Sequence, residues 1–149
     1  MKTFFIKSDV DETIERINRL TPDTKGNWGV MNVEQMLAHC TVAVEAGTGD
    51  RFVSRTLMGR LIGRFFKSMA TNNKSFGKGS PTHPDYKVNI TLGFEPEKEK
   101  LIDIISRFYE GGKQGVTENP HAFFGYLTPT EWGALLYKHT DHHLRQFGV

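Results

Sequence analysis

The sequence predicts an all-α protein, a four-helix bundle with an extra short helix and long connections. Three observations carry this reading. Apolar residues recur at i, i+3, i+4 and i+7 in several separate windows, helix-start signals stand directly before two of them, and strand-type alternation is scarce. At 149 residues the chain is long enough to bury a core without disulfides or metals as staples, and residues 1–149 read as one helical-bundle domain.

Residues 2–7 are a short strand or an extended lead-in. Ser8 or Asp9 then caps a first helix, with Asp11 and Glu12 in its first turn, Ile14, Ile17 and Leu20 on its apolar side, and Thr21-Pro22 at its end. Residues 22–31 form a loop whose one large side chain, Trp28, is expected to pack over the end of the bundle. Asn32 and Gln35 form a capping box that opens the second helix, VEQMLAHCTVAVEAG. Val33, Met36, Leu37, Cys40 and Val44 make its buried stripe, with His39 on the flank, and Gly47 to Asp50 loosen or end it.

Residues 52–70 read as another helix, with Leu57, Leu61, Phe65 and Met69 as the stripe. Gly59 and Gly63 suggest close packing or a bend, and Arg51, Arg55, Arg60, Arg64 and Lys67 a solvated face. Residues 71–90 are rich in turn formers, Asn72-Asn73, Gly77, Gly79, Pro81 and Pro84 among them; GKGS lacks the glycine spacing of a phosphate loop, and His83 is expected at the surface. A third long helix covers 96–109, with Leu101, Ile104, Ile105 and Phe108 buried and Gly111-Gly112 stopping it. The patch Phe123, Phe124 and Tyr126 follows, as a cap on the bundle; His121 precedes it, and no pattern fixes its place. Thr128-Pro129-Thr130-Glu131 starts the last helix, Trp132 to Phe147.

That last helix carries the strongest chemical signal. Trp132, Leu135 and Leu136 begin a buried stripe that His139 and His143 continue. At i, i+4 the two lie about 40° apart and one turn, about 6 Å, from each other, so both can reach one metal ion. His39, on the core flank of the second helix, would complete a three-histidine site with open coordination positions. The alternative is a set of hydrogen-bonded core-edge histidines with no metal. Gln146 returns to within about 20° of His139 and can hydrogen-bond near the site. His142, about 60° off His139, and Gln35 are further candidates for the surroundings. Glu34, Glu45 and Asp141 are carboxylates that could complete such a site, but Asp141, about 200° round the helix, points away. Cys40 turns into the apolar stripe as a buried, inert thiol.

Composition excludes other classes. A net charge of +2 from 19 Lys/Arg and 17 Asp/Glu gives no warrant for a nucleic-acid or membrane partner. One cysteine rules out an internal disulfide and fits a reducing compartment. The apolar patch Phe4 to Ile6 is too short for a signal peptide, and no run approaches ~18 apolar residues, so a soluble cytoplasmic protein is expected. No Ser/His/Asp order or dinucleotide fingerprint can be argued, so catalytic residues are unknown and no organic cofactor site is expected.

The segments MNVEQMLAHC and HAFFGYLTPTEWGALLYKHTDHHLRQFGV, about a quarter of the chain, resemble a small uncharacterised branch of the DinB-like (DinB/YfiT) superfamily of metal-binding four-helix bundles. Residues 50–110 join that comparison only through their helical pattern. The superfamily's metal triad, one histidine from the second helix and an H-x-x-x-H pair from the last, falls here on His39, His139 and His143; some members also have the histidine matching His142. The resemblance implies a divalent nickel, zinc or iron ion, frequent homodimers, and a small-molecule substrate. Some members are transferases using low-molecular-weight thiols and one is an isomerase, so a metal-dependent transferase or hydrolase is the leading expectation. A non-catalytic bundle that binds a small ligand or protein partner, with structural histidines, is the alternative.

Overall fold

Helices built from the predicted apolar stripes make up the computed structural model, which describes residues 1–72, 74–79, 82–89 and 91–149; Asn73, Ser80, Pro81 and Ile90, within the predicted turn-rich stretch, lie outside the described residues. Six α-helices occur among the described residues: α1 (Lys7–Asn18), α2 (Val33–Thr48), α3 (Leu57–Ile62), α4 (Lys67–Thr71), α5 (Phe94–Gly111) and α6 (Pro129–Gln146). Short 3-10 turns lie at Gly63–Phe66, Pro84–Tyr86 and Gly112–Gly115. No strand forms among the described residues, only an isolated bridge between His121 and Gly125.

The four long helices, α1, α2, α5 and α6, form the bundle; each of α1 and α2 packs on both α5 and α6. Their directions follow from the contacts. The Phe4 N–H donates to Gly133 O at one end of α1 and α6, and Arg16 reaches Asp141 and the Val149 carbonyl oxygen at the other, so these two run parallel. Gly47, late in α2, meets Trp132 and Leu136, early in α6, while Asn27, ahead of α2, donates to Gln146 O; that pair is antiparallel. Thr91 and Lys100 meet Glu34 and Glu45 in the same order, so α2 and α5 run parallel. The sequence of 16 residues in α2 is about 24 Å long, and the chain must cover that distance again before starting α5 in the same direction. The long excursion over residues 49–93 does this.

Both predicted capping boxes are present, Asn32 with Gln35 and Thr128 with Glu131. Gly49, with φ 89°, closes α2 in the left-handed conformation that only glycine adopts without strain. The stripe of α2 is buried throughout, as are Leu101, Ile104, Ile105 and Phe108 of α5 and Trp132, Leu135 and Leu136 of α6. Three expectations are corrected at α1. It starts at Lys7, Ser8 and Asp9 do not cap it, and Leu20 is buried beyond its end. Asp9 instead accepts from the Thr3 N–H, holding the lead-in down so that Phe4 is fully buried; residues 2–7 form no strand.

The largest correction concerns residues 52–70. They are not one helix but an extended piece followed by α3, a 3-10 turn and α4. The predicted stripe of Leu57, Leu61, Phe65 and Met69 faces outward, and Gly59, Gly63 and Ala70 face the protein instead. A Cβ on Gly63 would lie 1.8 Å from Phe123 O, and one on Gly59 2.7 Å from Ala122 O. The two glycines therefore let backbone lie on backbone, which turns the larger side chains to the outside. The residues expected inside are outside, and the glycines expected only to bend or pack the helix make its buried contact.

Candidate metal centre

His39 sits in the middle of α2, and His139 and His143 sit one turn apart on antiparallel α6, which crosses it there. One ligating nitrogen from each ring comes together, all within 4.8 Å of one another. The His39 and His139 Nε2 atoms are 3.0 Å apart. Three nitrogens at about 2.0–2.1 Å from one tetrahedral ion stand about 3.4 Å apart, so the His39–His139 pair lies just inside that spacing and the set as a whole, within 4.8 Å, brackets it.

The outer nitrogens are held by backbone and by one amide. His39 Nδ1 is 2.8 Å from Tyr86 O, and because a carbonyl only accepts, that nitrogen carries the proton and Nε2 keeps its lone pair. Gln146 donates through Nε2 to Trp28 O, so its Oε1 accepts from His143 Nδ1 at 2.8 Å. His143 Nε2 is thereby also left as a lone pair. Two of the three rings thus carry the tautomer that a metal ligand needs, set by groups outside the centre. His139 Nδ1 is buried without a partner among the described residues.

Burial keeps all three rings neutral at pH 7. Desolvation lowers His39, and lowers His139 well below the ordinary histidine value with its neighbours His143 and His39 adding to it. Desolvation, then His39, takes His143 down to about 3. Neutral imidazoles are the ligating form.

Of the other candidates, Gln146 is in place as described. His142 lies half-buried beside His143, with ring centroids 5.1 Å apart, and meets Trp28 and Phe76 edge-on. Lys78 lies over the Trp28 ring and Lys138 over that of Phe76. Gln35, one turn before His39, does not reach the centre; its Oε1 accepts from the Asn32 N–H in the cap of α2. The carboxylates are committed elsewhere: Glu34 to Thr91, Glu45 to Arg51 and Lys100, and Asp141 to Arg16 and Arg145. Burial pushes the Cys40 thiol far above the ordinary range, as an inert core thiol requires.

Two further histidines differ from expectation or extend it. His83 is not a surface residue: its side chain is 12% exposed, its Nδ1 accepts from the Asp85 N–H, and its ring stands against Tyr86. His121 packs on Trp132 and Phe124 and accepts two backbone N–H bonds, from Phe123 and Phe124, at Nδ1; burial lowers it to about 4. Tyr126, expected in the aromatic cap, is exposed. Sequence reasoning missed the Tyr86 and Trp28 carbonyls altogether, because a main-chain oxygen leaves no trace in side-chain pattern. A cleft of about 340 Å³ opens between α1, α6 and Asn72, Lys74 and Ser75, lined by Lys2, Arg16, Tyr137 and Asp141 among others, and the triad does not line it.

The family described as "Protein of unknown function (DUF1569)" matches residues 5–148, and the chain belongs to it. No curated protein and no solved structure matches the chain.

Proposed function

We propose that this DUF1569 protein is a metal-dependent enzyme of thiol-transferase or hydrolase type, and that it is a branch of the DinB-like superfamily. The observation that carries the proposal is the convergence of His39, His139 and His143, with the outer nitrogens of two of them anchored by Tyr86 O and Gln146. That combination of buried neutral imidazoles and fixed tautomers fits a divalent ion such as nickel, zinc or iron, and three protein ligands would leave a tetrahedral ion one position for a further ligand. When bound, such an ion lowers the pKa of a water or thiol in its open position, supplying a nucleophile near neutral pH.

The chain's own part is to orient and insulate. Tyr86 and Trp28 fix ring tilt through backbone oxygens, so the ligands are set before the ion arrives. Among the described residues no carboxylate joins the three imidazoles, so a bound ion would keep its full positive charge and favour an anionic partner, such as the thiolate of a low-molecular-weight thiol. We place the protein in the cytoplasm, supported by the single buried cysteine and by the lack, among the described residues, of a helix long and apolar enough to cross a membrane.

Cobalt-substituted protein tests the reading. Adding a low-molecular-weight thiol is expected to produce a sulfur-to-cobalt charge-transfer band that the His139→Ala protein lacks. A cobalt spectrum indifferent to thiol rejects the transferase branch and leaves hydrolysis. One observation favours the non-catalytic reading: the 3.0 Å contact between His39 and His139 lets the two rings satisfy each other as donor and acceptor without an ion. In that case neither cobalt nor a chelator alters the melting temperature.

A further inference from the structure

The near-neutral total charge hides a strong asymmetry. Residues 51–84 hold seven of the 19 Lys/Arg and none of the 17 Asp/Glu, leaving 12 cations against 17 carboxylates in the rest of the chain. Within that stretch the packing of Gly59 and Gly63 against the backbone at 122–123 turns the large apolar side chains away from the core. Leu57 is 79% exposed, Leu61 72% and Phe65 67%, with Met58 beside them. Arg60 and Arg64 flank this apolar face, and neither has an ion-pair partner among the described residues, Arg64 lying along the Phe65 ring. Single exposed apolar residues are ordinary, but a continuous face of them on one segment marks a surface that is covered in use.

We propose that residues 52–69 are an interfacial segment that docks this protein on an anionic lipid bilayer. Leucine, methionine and phenylalanine enter the headgroup boundary, and Arg60 and Arg64 lie level with the lipid phosphates. An apolar face with arginines at its edge and no carboxylate within the stretch itself, Glu131 of α6 pairing with Lys67, is the chemistry of segments that lie in the membrane plane rather than cross it. Charge decides against a second copy of the same face. A two-fold pairing would set Arg60 and Arg64 against their own counterparts with no acidic residue in the stretch to oppose them. The sequence-level expectation of no membrane partner rested on net charge, which averages the cationic segment with an acidic remainder.

Co-sedimentation of the full chain with vesicles of equal parts phosphatidylglycerol and phosphatidylcholine, against pure phosphatidylcholine vesicles, tests this at low salt. The wild type is expected to pellet with the anionic vesicles only. Arg60→Glu with Arg64→Glu is expected to weaken partitioning by about 25-fold or more, since each basic group near the surface contributes about fivefold. Leu61→Ser with Phe65→Ser is expected to abolish it. All of these positions except Phe65's ring contact are solvent-facing, so circular dichroism should show unchanged folds. Failure to bind anionic vesicles, or binding indifferent to either pair of changes, overturns the proposal. So does sedimentation velocity in which the serine pair converts a dimer to a monomer, which would assign the face to a second copy. Retardation of duplex DNA lost with the glutamate pair but kept with the serine pair would assign it to nucleic acid.

Discussion

At the scale of single residues, the centre depends on groups that never touch an ion. Gln146 holds His143 by one end and Trp28 by the other. Its replacement by alanine frees the His143 ring to rotate and to take the wrong tautomer. We expect metal affinity to fall by about 10–100-fold with helix content unchanged, measured by competition with a chromophoric chelator. Unaltered affinity would show that the amide has no part in setting the ligand. The histidines also set the response to acid. His39, His121, His139 and His143 all bind protons less well in the fold than their ordinary value of 6.5. The unfolded chain therefore takes up more protons than the native one below about pH 6.5. Stability of the metal-free protein should be level above that pH and should decline as pH falls toward the folded values near 4 for His121 and 3 for His143. Urea midpoints at stepped pH will show the onset above the carboxylate range. A midpoint constant from pH 7 to 5 would contradict the burial of these rings.

At the scale of the element, legibility followed how much of an element's burial its own side chains decide. The stripes of α2, α5 and α6 could be read because Val33 to Val44, Leu101 to Phe108 and Trp132 to Leu136 each bury side chains against a neighbouring helix. The capping boxes were legible for a similar reason, being closed within four residues. Residues 52–70 depart from the expected single helix because backbone, not side chains, makes their contact. Gly59 and Gly63 announced a close approach without saying that the approach was to the inside. Gly63→Ala should therefore destabilise by about 1–3 kcal/mol through overpacking, and Leu61→Ala should stay within about 0.5 kcal/mol of wild type. Chemical denaturation of the two variants distinguishes the arrangements, since a buried Leu61 would reverse their order. Thr128→Ala should cost about 1 kcal/mol through loss of the α6 cap, read by the same method.

At the scale of the whole molecule, the bundle brings together residues 100 positions apart in sequence. The antiparallel crossing of α2 and α6 places His39 against His139, and the excursion between α2 and α5 delivers Tyr86 to the outer nitrogen of His39. The histidine spacing on α6 was legible from its own periodicity. His39 could be placed only on a flank, and its partners at Tyr86 and Gln146 depend on chain paths that periodicity does not describe. Coupling between ion and fold follows from the same geometry, because ligands on two helices meet only when those helices are packed. An ion held at about 100 times its Kd should add about 2.7 kcal/mol to stability, seen as a higher melting temperature that chelator removes.

The most direct measurement is metal content per chain, in wild-type protein and in His139→Ala purified alongside it. One divalent ion per wild-type chain, absent from the variant while its helical circular dichroism is retained, is the result expected of three convergent imidazoles. Equal metal content in the two proteins, or a wild type that takes up none when supplied with nickel, zinc or iron, would contradict it.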